Sequence, residues 1–254
     1  MKKAVVLNDV SMKYQSVSGE TEAIKSISFD VKEGEFLSIV GPSGCGKSTL
    51  LSIIAGLVKP TSGEALVMGE PAGSANKTGY MLQNDHLFEW RTIMNNVILG
   101  QQIKHCATYE NRMYAEELLK TYGLYEFKDR YPRELSGGMR QRAALIRTLA
   151  VRPDILLLDE AFSGLDYQTR LAVSDDIYAI IRREKKTVVM VTHDISESVS
   201  MSDRVVILSK RPAEVKRIVD IDFSGKEALP LERRESAEFK SYFNVIWKEL
   251  GVHV

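Results

Sequence analysis

Several short stretches carry residue types suited to chemistry on a phosphate. Gly41-Pro42-Ser43-Gly44-Cys45-Gly46-Lys47-Ser48-Thr49 fits G-x-x-x-x-G-K-[ST]. It follows the apolar run Phe36-Leu37-Ser38-Ile39-Val40 and precedes Leu50-Leu51-Ser52-Ile53-Ile54-Ala55, the strand–loop–helix setting this pattern needs. Successive backbone N–H groups and a helix start can surround a phosphate. Lys47 can reach the outer phosphates, and the Ser48 hydroxyl can hold Mg²⁺. A glycine-rich turn that matches by chance is the plain alternative.

Further along, Asp154-Ile155-Leu156-Leu157-Leu158-Asp159-Glu160 is an apolar run ending in two carboxylates. Asp159 is placed to support Mg²⁺ through its bound water, or else to cap the strand structurally. Glu160 can orient or deprotonate an attacking water, or simply face solvent. His193 ends the next apolar run, Thr187-Val188-Val189-Met190-Val191, where a neutral imidazole can contact a γ-phosphate. Gln83 also comes after a strand-like segment. Its amide oxygen can approach Mg²⁺ or water, and taken singly it reads equally well as a polar loop residue. Ser136-Gly137-Gly138 is a second glycine-bearing helix start that offers free N–H groups to an anion, or an ordinary N-cap with a flexible turn. Two such starts in one chain need not meet within it. A two-fold dimer could place the first of one subunit opposite the second of the other.

The hydrophobic pattern predicts the elements that hold these residues. Residues 4–14 read as a strand, 15–21 as a turn, and 24–31 as a strand with Ile27, Phe29 and Val31 on one face. Such a strand-rich start predicts an antiparallel layer beside a nucleotide-binding core. Residues 64–68 and a segment ending at Gln83 add strands, and 84–92 form a polar and aromatic loop. Residues 93–127 are mainly helical, broken near 104–108, with no parallel-strand partner in sight. A loop covers 127–135, and a helix runs from Met139 to Ala150. Helices are expected over 168–185, 195–201 and 232–250, and strands over 204–208 and 215–221.

Composition narrows the partners. The 254 residues suffice for one large domain or two small ones. Lys plus Arg and Asp plus Glu are both 34, so bulk charge gives no reason to expect nucleic acid. Cys45 and Cys106 form no metal-ligand cluster, and a disulfide at Cys45 would disturb the glycine loop, so a reducing compartment is expected. The N-terminal apolar run is too short for a signal-peptide core, and no stretch approaches about 18 apolar residues.

In the order in which these motifs occur, the chain resembles the ATP-binding subunit of ABC transporters over about residues 4–210. Gly41–Thr49 matches the Walker A loop and Asp159-Glu160 the Walker B end. Leu135-Ser136-Gly137-Gly138-Met139-Arg140-Gln141-Arg142 matches the family signature, Gln83 the Q-loop, Ser163-Gly164-Leu165-Asp166 the D-loop, and His193 the switch histidine. Tyr14 falls where the family stacks an aromatic on adenine. A finer resemblance is to bacterial importers of nitrate, sulfonates and taurine, through Trp90 and Arg211-Pro212. The chain departs from the common pattern at Glu89, where that group carries proline, at Ala161, and at Phe162-Ser163-Gly164.

The resemblance implies an α/β fold: a P-loop nucleoside triphosphatase core with an antiparallel β layer and an inserted helical subdomain. It implies a core over residues 1–92 and 151–210, a helical signature subdomain over 93–150, and a short extension over 211–254. It further implies ATP hydrolysis with Mg²⁺, carried by Lys47, Gln83, Glu160 and His193, with Ser48, Gln83 and Asp159 at the metal. Tyr14, Gly41–Thr49, Ser136, Gly137, Gly138 and Asp166 would contact nucleotide, the last four across a head-to-tail homodimer. A permease would dock near residues 83–92, where Leu87-Phe88-Glu89-Trp90-Arg91-Thr92 reads as an exposed aromatic patch. An extracytoplasmic solute-binding protein would serve the same system without touching the chain, at the cytoplasmic face of the inner membrane. Cargo could be nitrate, a sulfonate, taurine or a thiamine precursor. The alternatives are an exporter, a lipoprotein-release ATPase, and a non-transport mechanical switch protein.

Overall fold

The computed structural model describes residues 2–16, 19–74, 77–224 and 228–251. Its centre is a six-stranded sheet built from β3 (Phe36–Val40), β6 (Thr78–Met81), β7 (Ile155–Asp159), β8 (Thr187–Val191), β9 (Arg204–Leu208) and β10 (Val215–Asp220). The order is β10-β9-β3-β8-β7-β6, parallel except for β10, which is antiparallel to β9. Strands β3 and β8 are buried at every position, Ser38 and Thr187 included, as befits mostly apolar strands covered on both faces.

Alternate residues of the same strands divide between two cores. Phe36, Leu156, Leu158, Val188 and Met190 face helices α2 (Ile93–Val97), α4 (Tyr109–Thr121), α5 (Gly137–Leu149) and α6 (Tyr167–Arg183). Leu37, Ile39, Leu157, Val189 and Val191 face α1 (Lys47–Ile54) and a second sheet. That sheet is antiparallel, in the order β2-β1-β4-β5, from β1 (Lys3–Ser16), β2 (Gly19–Lys32), β4 (Ser62–Val67) and β5 (Glu70–Pro71). The mixed α/β architecture with an antiparallel layer and a helical group is therefore the one expected. A short α3 (Leu99–Ile103) completes the helical group, and the chain between α3 and α4 breaks where the sequence predicts.

Three local expectations change. Residues 15–21 are not simply a turn, since Tyr14 pairs with Thr21, Gln15 with Glu20 and Ser16 with Gly19. Polar side chains suit a hairpin end that is exposed on both faces. The predicted helix over 232–250 is two helices, α8 (Pro230–Glu235) and α9 (Ala237–Leu250). They part at Ser236, whose extended backbone lets its hydroxyl accept from Phe239 N–H and cap α9. The patch at 87–92 is only partly exposed. Leu87 is buried, while Trp90 is 74% exposed. Asn96 ties the segment down: fully buried, it accepts from Phe88 N–H at 2.7 Å, and its amide nitrogen lies 3.0–3.1 Å from the carbonyl oxygens of Phe88, Arg91 and Thr92.

Beyond β9, α7 (Ile195–Met201), β10 and α9 enclose a third core around Val205, Ile207, Val199, Phe223 and Ile246. Among the described residues no helix is long and apolar enough to cross a membrane.

Candidate active site

Parallel strands all deliver their C-terminal ends to one edge of the sheet. On this edge β3 leads into the glycine loop, β7 ends at Asp159, β8 leads to His193, and β6 leads to Gln83. Gly46, at φ 125, starts α1. A Cβ there would lie 3.1 Å from the Ala23 carbonyl oxygen, so the position excludes a side chain by both conformation and space. Gly41 is closely packed too, against Cys45 Sγ and Leu208. Cys45 is a buried free thiol packed with the core beneath the loop, while Pro42 and Thr49 are half-buried and Ser43 and Gly44 exposed.

Lys47 opens α1 and is buried, its ammonium donating to the carbonyls of Gly41 at 2.8 Å and Pro42 at 3.1 Å. A cation held on the loop's own carbonyls stands ready for an anion. The Ser48 hydroxyl donates to Asp159 Oδ1 at 3.1 Å, and the Tyr80 hydroxyl donates to Asp159 Oδ2 at 3.1 Å. Burial pushes the Asp159 carboxyl up from its ordinary value, and these two hydrogen bonds oppose the shift. Burial, with the charge of Asp159 beside it, also pushes the Tyr80 phenol up, so Tyr80 remains a donor.

The donor set suits Mg²⁺. A hydroxyl, a carboxylate and an amide oxygen are hard ligands, and Mg²⁺ takes one or two such groups while keeping water and phosphate oxygens. A divalent charge would also relieve the desolvation at Asp159. The described residues contain no cluster of three or more His, Cys, Asp or Glu of the kind that holds a softer metal.

Glu160 sits at φ 47, a left-handed conformation costing a side-chain-bearing residue about 1–2 kcal/mol. The turn takes its carboxylate out of the strand path and brings Oε2 to 3.2 Å from His193 Nδ1. The Gln83 amide nitrogen lies 3.4 Å from the same oxygen and 3.2 Å from Ser163 Oγ. Lys47, Ser48, Gln83, Asp159, Glu160 and His193 thus occupy one neighbourhood, as the sequence predicts. Tyr14, 41% exposed, joins it from β1 by donating to Thr49 Oγ1 at 3.3 Å.

At the start of α5, Ser136 is exposed, Gly137 half-buried and Gly138 buried. Ser136 caps α5 by accepting from Met139 N–H at 3.3 Å, so both glycines belong to the first turn of α5. Their neighbours are on α6 and the loop before it: a Cβ on Gly137 would stand 3.2 Å from Leu165, and one on Gly138 2.8 Å from Val173. Asp166 caps α6 through Thr169 N–H at 3.0 Å, and this bond holds its carboxyl below the usual range. Helix α5 also grips the loop after Gln83. Arg140 Nε pairs with Asp85 at 3.1 Å, and Arg147 donates to the carbonyls of Asp85 and His86 at 2.7 and 2.6 Å.

Two further contributors have roles that the sequence does not indicate. Tyr80 orients Asp159, and Arg211 donates to the Gly44 carbonyl at 2.7 Å, holding the outer rim of the loop. Tyr80 belongs to no motif, and Arg211, noted in the sequence only as part of Arg211-Pro212, carries there no sign of this contact; the pairing of β6 with β7 and the return of the chain after β9 place them.

Comparison with known proteins agrees with this arrangement. Residues 24–163 match the ABC transporter family. The uncharacterized ABC transporter ATP-binding protein YtlC of Bacillus subtilis is 46% identical, over 96% of this chain and 95% of that protein. The nitrate import ATP-binding protein NrtD of Synechocystis is 38% identical, over 94% and 92%. The taurine import ATP-binding protein TauB of Roseobacter denitrificans is 34% identical, over 95% and 93%. A dimeric, post-hydrolysis structure of the ATP-binding cassette MJ0796 with ADP and Pi superimposes with a TM-score of 0.73. It is 33% identical and covers 86% of this chain and 99% of that one. The chain belongs to the ABC transporter ATP-binding family, whose cassettes are ATPases coupled to transport.

Proposed function

We propose that this cassette hydrolyses MgATP to drive import of a small solute through a separate permease, working as a homodimer. The observation that carries the reading is the meeting of Ser48 with Asp159 and of Glu160 with His193 at the mouth of one glycine loop. Nitrate and taurine import by NrtD and TauB support the importer reading and a small anionic or zwitterionic cargo.

In this mechanism the N–H groups of 41–49 and Lys47 hold the phosphates, and Tyr14 contacts the adenine. Ser48, Gln83 and Asp159 would hold Mg²⁺, which would neutralise charge on the phosphate oxygens. Glu160 takes the proton of the water that attacks the γ-phosphorus, while the bond to the ADP oxygen breaks. His193, bonded to Glu160, fixes the direction of that carboxylate and contacts the transferred group. Ser136, Gly137 and Gly138 would complete the second subunit's site, with Asp166 linking the two sites. The dimeric form of the MJ0796 cassette supports this pairing. Residues 1–92 and 151–210 then act as the ATP-binding core, 93–150 as the subdomain that presents the glycine pair, and 211–254 as a brace. Trp90 and its surroundings would meet the permease, holding the chain at the cytoplasmic face of the membrane; a solute-binding protein would act on the other side.

A mixed dimer tests the shared site. One subunit carries Lys47→Ala and the other Ser136→Arg, so both defects fall on the same composite site and the other site keeps every motif. Retention of one tight ATP-binding site is the expected result. Loss of both sites would overturn the assignment.

A further inference from the structure

Arg170 lies in the first turn of α6, four residues after the cap Asp166. Its Nη2 donates to the Leu165 carbonyl at 2.9 Å, and its Nη1 lies 3.6 Å from Asp194 Oδ2. The two side chains are 24% and 28% exposed, so their attraction is screened less than that of an open surface pair. The other carboxylate oxygen of Asp194 is already committed to α7. Oδ1 accepts from Ser196 N–H at 2.7 Å and Glu197 N–H at 3.1 Å. Asp194 N–H donates to Thr192 Oγ1 at 3.0 Å, and that hydroxyl donates to the buried Glu197 at 2.8 Å.

His193 stands between Thr192 and Asp194. Its backbone neighbours are anchored on both sides, yet its ring is 58% exposed. A side chain with so little packing takes its position from the turn that carries it. That turn leaves β8, whereas Leu165 and Asp166 belong to the loop leaving β7. Arg170 bonds to both segments, using the two-pronged geometry that only a guanidinium offers.

We propose that Arg170 is a positioning residue for His193, joining the 163–166 loop to the 192–194 turn so that Asp166 and the imidazole shift together. The proposal rests on the reading that His193 takes part in hydrolysis. In that role Arg170 touches neither nucleotide nor water; it acts through Asp194. Lysine can reach one of the two partners and should preserve part of the effect.

The test is steady-state ATP hydrolysis by the full chain carrying Arg170→Met, Arg170→Lys or Asp194→Asn, and by Arg170→Met combined with His193→Ala. Asp194→Asn retains the capping oxygen and removes the charge. A misplacement on the scale of an ångström predicts a fall in kcat of about tenfold or more. Arg170→Met and Asp194→Asn should share this fall, with KM for ATP changed by less than about twofold. Arg170→Lys should fall between them and the unmodified chain, with an unchanged melting temperature, which separates the effect from misfolding. On the His193→Ala background, Arg170→Met should cost nothing more. An impaired His193→Ala on which Arg170→Met still exacts its full loss would overturn the positioning role alone. An unimpaired His193→Ala would overturn the role of His193 and this proposal with it.

Discussion

His193 Nδ1 lies 3.2 Å from Glu160 Oε2, although 33 positions separate the two residues in sequence. The register of adjacent parallel strands creates the contact. Asp159 pairs with Val191, so Glu160 and His193 emerge one and two residues past the same rung. The left-handed backbone at Glu160 then turns its carboxylate toward the imidazole.

Glu160→Gln should keep the shape and remove the base. Turnover is expected to fall by about 100-fold or more, the usual contribution of a positioned proton acceptor. ATP affinity, measured by equilibrium binding, should change by no more than a few-fold. Unchanged turnover would show that another group accepts the proton.

Gly138→Ala should destabilise the chain. Its Cβ would stand 2.8 Å from Val173 Cγ2, where α5 crosses α6. Overpacking of this kind costs about 1–3 kcal/mol. Chemical denaturation of Gly138→Ala and of Gly138→Ala with Val173→Ala checks the cause. The second change makes room and should recover most of the loss; no recovery would place the fault in the backbone.

Glu197 should make stability depend on pH. It is 3% exposed, and burial, then the charge of Asp194, pushes its carboxyl up to about 7 from an ordinary 4.5. The folded chain therefore keeps this proton where the unfolded chain has released it. Below pH 4.5 both forms are protonated and nothing is lost. Stability then declines as pH rises toward about 7, by about 3 kcal/mol in all, and levels off above it. Glu197→Gln retains an acceptor for Thr192 and removes the titration. Its denaturation midpoint should exceed that of the unmodified chain at pH 8 by more than at pH 5; equal differences would dismiss the effect.

Trp90→Ala should leave hydrolysis and melting of the isolated chain unchanged. The ring is 74% exposed and meets Phe88 at a tilt of 32°, with ring centroids 4.8 Å apart. Co-purification with the permease should weaken, because exposed aromatic anchors contribute heavily to interfaces. Full retention of the permease would move the contact elsewhere.

The sequence makes the edge that carries the candidate site legible because short, local patterns mark it. Apolar runs such as 155–158 and 187–191 identify buried parallel strands, and the residues just past the end of each run must lie at one edge of the sheet. The gaps lie where distant residues decide. The anchoring of the 88–92 segment on Asn96 is revealed by no hydrophobic pattern. Tyr80 reaches Asp159 only because β6 pairs with β7. Arg170 looks like any charged residue near a helix start until its two partners from different loops are known. The break at Ser236 is readable in retrospect as a serine cap, but the apolar stripe running from 239 to 250 conceals how far the helix extends backward.

Helix α5 has a mechanical consequence. Its 13 residues span about 20 Å. At one end it carries the glycine pair; along its length Arg140 and Arg147 clasp Asp85 and His86. The clasped residues lie four and five positions before Trp90. A displacement of that loop would therefore be carried along α5 toward the glycine end by a stiff rod instead of a slack chain. A permease that pulls on Trp90 would be turning the key to its neighbour's lock.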